Sequence, residues 1–90
     1  VKRRAVRRRG FRVTCKAAQP GTCGVVVRRK GRKIARGSGD VPAAIGTVVS
    51  AELNRRGRRA LKRMGERLRV RVVVTLPGEE ARSRRVTVTR

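Results

Sequence analysis

Between Leu68 and Leu76 every second residue is apolar: Leu68, Val70, Val72, Val74 and Leu76 alternate with Arg69, Arg71, Val73 and Thr75. Successive side chains of a strand point to opposite faces, so this stretch demands an extended strand with one buried face. The same strand supplies core on one side and, through Arg67, Arg69 and Arg71, a row of cations about 6.5 Å apart on the other. Just upstream the period changes. Ala60, Leu61, Met64 and Leu68 are spaced like the apolar stripe of one or two helical turns. Asn54 is placed to cap that helix and Gly65 to stop it. Gly57 inside it costs about 1 kcal/mol relative to alanine, so the helix must lean on packing.

The rest of the chain repeats the strand pattern in shorter pieces. Phe11, Val13 and Cys15 alternate with Arg12, Thr14 and Lys16. Gln19-Pro20-Gly21-Thr22 fits a type II turn, and Cys23, Val25 and Val27 begin a second strand. Arg28 to Lys33 reads as a basic loop and Lys33 to Arg36 as a short returning strand, with Gly37-Ser38-Gly39-Asp40 and Pro42 breaking the pattern. Alternation resumes from Gly46 to Leu53, placing Thr47, Val49, Ala51 and Leu53 on one face. Pro77-Gly78-Glu79-Glu80 is a turn, and Val86 and Val88 mark the last strand. Short strands separated by turns at this spacing predict an all-β sandwich.

Ninety residues hold one core. With Phe11 the only aromatic, that core is built of Val, Leu, Ile and Ala. Charge narrows the function. There are 27 Lys and Arg, of which five are Lys, against 5 acids, a net charge of +22. A GC-rich genome favours Arg codons and a thermophile favours charged surfaces, but ion-pair networks need acids as well. Self-repulsion at this charge disfavours a compact monomer, and a polyanion relieves it. A domain of this size is roughly 25–30 Å across. A duplex crossing it carries about 15–18 phosphate charges, which is comparable with the protein's own charge.

The strand ending in Cys15, the short loop to Cys23, the VVVRRKGRKIARG hairpin, the TVVSAELNRRGRRALKRM segment, RLRVRVVVTL and the closing VTVT strand occur in that order. Over residues 11–90 this resembles the small immunoglobulin-like β-sandwich modules of secreted and cell-surface proteins of high-GC actinobacteria. The resemblance implies secretion and a structural or adhesive role, and it carries no catalytic residues. The +22 charge and the Arg-rich start depart from a generic module of that kind. The expected fold is therefore a small immunoglobulin-like β-sandwich with one short helix, residues 11–90, preceded by a basic N-terminal arm, residues 1–10. The arm has no apolar periodicity, so it is expected to be ordered only against a polyanion or a neighbouring subunit. Its removal is expected to leave the fold intact.

The chain has no His, Trp or Tyr. A nucleophile needs a nearby base and a zinc site needs about four ligands, and neither set is present. No Gly-rich phosphate loop occurs, so neither an enzyme nor a cofactor is expected. No stretch approaches the roughly 18–20 apolar residues of a membrane span, and no signal peptide is visible. Because the chain starts at Val1, it reads as a processed product or a fragment, which leaves room for a removed targeting segment. Cys15 and Cys23 are open to three states: free thiols, a redox pair, or a structural disulfide. The disulfide is favoured, with the two facing across a tight hairpin end. It would contribute about 2–3 kcal/mol and argue for an oxidising compartment. Free thiols would instead argue for the cytoplasm.

The candidate binding residues form four groups: Arg3, Arg4, Arg7, Arg8 and Arg9; Arg28, Arg29, Lys30, Arg32 and Lys33; Arg55, Arg56, Arg58, Arg59, Lys62 and Arg63; and Arg67, Arg69 and Arg71. Any one alone is an ordinary solvated face. Together, with so few acids to pair them, they predict binding to nucleic acid, DNA rather than RNA. Arg favours bidentate phosphate contact. Base-reading motifs and a stacking platform are both missing, so the expected mode is phosphate-backbone binding without sequence specificity. The functional expectation is a secreted protein that coats nucleic acid as a homo-oligomer or filament. Two other readings share these features: a subunit of an extracellular fibre or surface layer bound to acidic wall polymers, and a ribosome-type RNA-binding protein.

Overall fold

A computed structural model describes residues 1–90. Its elements in chain order are α1 (Arg3–Arg9), β1 (Phe11–Cys15), β2 (Gly21–Arg29), β3 (Arg32–Val41), β4 (Thr47–Leu53), α2 (Arg55–Arg63), β5 (Arg67–Thr75) and β6 (Arg82–Thr89). The strands form one antiparallel sheet in the order β1-β4-β3-β2-β5-β6, curled into a half-barrel. Only two residue pairs, Ala35↔Leu53 and Arg36↔Glu52, join β4 to β3. Beyond them β4 passes to β1, and this ribbon folds back over β2.

The alternation seen in the sequence is realised in β5, where Leu68, Val70 and Val72 are buried and Arg67, Arg69 and Arg71 are exposed. It is equally clear in β4, where Val49 and Ala51 are buried and Thr47 and Leu53 half-buried. All 18 buried apolar residues join one cluster, in which Phe11 is the only ring. Asn54 caps α2, its Oδ1 accepting from the Gly57 N–H at 2.8 Å.

Several expectations are corrected. The segment Arg28–Lys33 is mostly strand, with a two-residue turn at Lys30-Gly31 whose φ values of 50° and 79° fit type I′. β3 continues through Gly37-Ser38-Gly39-Asp40 to Val41 instead of breaking there. Gly37 is tolerated because the Ser50 carbonyl of β4 occupies the space a Cβ would need. Gly21 does not take the positive φ a type II turn requires at that position; it is the first residue of β2. α2 stops at Arg63 with Met64 extended, so Gly65 is not its cap.

Two helices are present where one was expected. Residues 1–10 are not an arm awaiting a partner. Arg3–Arg9 is a helix whose Val6 is completely buried in the same core. The Val1 carbonyl accepts the Thr89 N–H at 2.7 Å, and Lys2 bridges Thr89 in parallel. The chain's own packing orders this segment.

Cys15 and Cys23 form a disulfide, with Cα atoms 6.5 Å apart. The two strands that it joins are not a hairpin, because β1 pairs with β4 and β2 with β3 and β5. The bond ties the edge strand β1 to β2 in the middle of the sheet, across the inside of the curl.

Candidate nucleic-acid interface

Antiparallel order decides where the cations go. The starts of β1, β3 and β5 and the ends of β2, β4 and β6 share one end of the sheet. α1 runs into β1 at this end, α2 joins β4 to β5 here, and the Lys30-Gly31 turn lies here too. The four basic groups, far apart in sequence, therefore belong to elements that meet at one end. Arg4, Arg7, Arg8 and Arg9 of α1 are exposed, with Arg3 half-buried. On the β2–β3 hairpin Lys30, Arg32 and Lys33 are exposed, and Arg28 and Arg29 half-buried. All six cations of α2 are exposed. Arg67 and Arg69 start β5, and Arg71 lies further along it. At the opposite end lie Asp40, before the close of β3, and Glu79 and Glu80 in the β5–β6 turn.

A β-bulge docks α2. The β2–β3 register shifts beside Val27 and Arg28, leaving Ile34 as the extra residue of β3. Its freed carbonyl accepts the Asn54 N–H at 3.0 Å, and the Lys33 carbonyl accepts from Asn54 Nδ2 at 2.9 Å. Gly57 then sits against the Ile34 carbonyl, where no side chain fits. With Gly57 and Leu61 facing the core, Arg55, Arg59 and Arg63 align at four-residue spacing on the outer face, beside Arg58 and Lys62. No acid stands in the first turn of α2. Cations there oppose the helix macrodipole, and like charges four apart repel. α2 thus holds the charges of its first turn against its own stability, while Lys62 and Arg63 in its last turn suit the dipole.

Strand register builds a second feature. Lys33, Arg28, Arg71 and Arg85 are opposite one another across β3, β2, β5 and β6. Adjacent strands are about 4.8 Å apart, so four cations span roughly 14 Å on the outer face. Arg85 was missed by the sequence reading. Its alternation with Val86 and Val88 was visible, but its register against Arg71 was not.

The charges are almost wholly uncompensated within the protein. Among its 27 Lys and Arg there is one ion pair, Arg82–Glu79 at 3.4 Å, with Arg82 itself 75% exposed. No three His, Cys, Asp or Glu side chains gather as a metal site would require. No helix is long and apolar enough to cross a membrane. No family model, no curated protein and no solved structure matches the chain.

Proposed function

We propose that this protein binds nucleic acid, DNA in the first instance, through the phosphate backbone and without reading sequence, and that it coats its partner as repeated copies. The observation that carries the reading is the convergence of four basic groups at one end, with a single ion pair in the whole molecule. A duplex crossing the molecule's 23 Å width presents roughly 13 phosphate charges, which is within reach of the cations gathered there. The Arg preponderance suits bidentate phosphate contact. The reading involves no catalysis.

The disulfide is compatible with an extracellular location, which we include in the proposal, and it weighs against a ribosome-type protein of a reducing cytosol. An immunoglobulin-like module remains our proposed carrier. Its support is the β1–β4 ribbon folded over β2 and bonded to it through Cys15–Cys23. The test is a titration with two unrelated duplexes of about 30 base pairs across a salt series. Equal affinities are expected, with log K falling by about 0.9 per phosphate neutralised for each unit of log salt. A difference of several kcal/mol between the duplexes, or a flat salt dependence, would count against the reading.

A further inference from the structure

The half-barrel does not close. β1 pairs only with β4, and β6 pairs with β5 and, at Thr87–Thr89 alone, with Val1 and Lys2, so β1 and the Arg82–Val86 part of β6 present free rows of backbone N–H and C=O groups. The two edges frame a groove of about 960 Å³. Phe11 and Val13 form one wall, Val72, Val74 and Val86 the other, and Leu76 one end. Val13, Val74, Leu76 and Val86 pack on the core yet stay partly exposed, because nothing covers them.

Charge defines what fits. Arg82 and Arg84 lie opposite Val74 and Val72, on the inward face of β6 at its open edge. Arg9, Arg12 and Lys16 stand around the same groove, and no carboxylate lines it. The nearest pairing is the single 3.4 Å contact of Arg82 with Glu79, which leaves Arg82 75% exposed. Inward-pointing charges on an edge strand discourage pairing with another copy, because like charges meet across the new ladder. They favour a strand that brings carboxylates. A nucleic acid has no peptide ladder with which to satisfy the two edges.

We propose that this seam takes an extended acidic peptide, apolar at every second residue, which adds to the sheet as a further strand. Its alternate apolar side chains meet Val13, Val74 and Val86, its backbone pairs with an open edge, and its carboxylates meet Arg82 and Arg84. The seam adjoins the cationic end at Arg9 and runs away from it, and the inference goes beyond the proposed nucleic-acid binding.

The probe is a fluorescent peptide of alternating Glu and Val, about nine residues long to match a strand at ~3.4 Å per residue. The control has the same composition in two blocks, and the full chain is used near physiological salt. The alternating peptide should bind at least ~10-fold more tightly, and its binding should slow amide exchange in Phe11–Cys15 or in residues 82–86 of β6. Arg82→Glu with Arg84→Glu, both exposed positions, should cost the acidic peptide at least ~10-fold and favour an alternating Lys–Val peptide instead. Equal affinity for both arrangements would overturn the proposal, as would protection confined to α1 and α2. Self-association that protects the two edges in the absence of peptide would also overturn it, because a second copy would then be the occupant.

Discussion

Gly57 gives the sharpest residue-scale test, because helix propensity and packing predict opposite signs. By propensity Gly57→Ala should stabilise α2 by about 1 kcal/mol. In the structure the new Cβ would strike the Ile34 carbonyl, the same group that accepts the Asn54 N–H. Urea denaturation of the variant should show a loss of about 1–3 kcal/mol. A gain would mean that α2 sits further from the bulge. Asn54→Ala should cost about 1–2 kcal/mol, since it removes both the cap and the donor to the Lys33 carbonyl. The cap was legible in the sequence, because a side-chain cap is a local device. The reason for Gly57 was not. It depends on a bulge at Ile34, more than twenty residues away, that only strand register creates.

At the scale of elements, the two helices carry different predictions. α1 anchors through one fully buried side chain. Val6→Ala should therefore destabilise the whole protein by about 1–3 kcal/mol, read from the denaturation midpoint. Deleting residues 1–9 should also lower stability, in contrast to the expectation that they are dispensable. An unchanged melting temperature would show that the helix contributes nothing. α2 presents a conflict between stability and binding. Arg55→Glu with Arg56→Glu should favour the helix by about 0.3–1 kcal/mol per site at low salt, because acids suit a helix N-terminus. The same change should weaken duplex binding. If stability and affinity fell together, damage to the fold would explain the loss. The strands were mostly legible because period-2 alternation is short-range, as in β4 and β5. α1 was not, because in RRAVRRR a single Val offers no period to detect. β3 was cut short because Gly37 and Gly39 look like breakers until β4 is known to pass closely over them.

For the whole molecule, each basic group was visible in the sequence, but their arrangement was not. Lys33, Arg28, Arg71 and Arg85 share a row only because four strands pair in one particular register. Reduction of Cys15–Cys23 tests how far the curl depends on its tie. Replacing both with Ser should cost about 2–3 kcal/mol, measured by denaturation, while leaving the cationic end able to bind duplex. Loss of binding in a still-folded variant would show that the tie shapes the interface. The lopsided charge has a further mechanical consequence. The molecule is 40 Å in its longest dimension, and three of its five acids, Asp40, Glu79 and Glu80, lie at the end away from the helices, with Glu52 and Glu66 among the cations at the helix end. Near the polyanion that we propose as its partner, such a body would feel a torque as well as a pull, and would turn helices-first before it touched. Copies standing side by side on one polymer would then share a single polarity. They would show the outside world a uniform crown: Glu79 and Glu80 in one loop, and the exposed Ile45 in another.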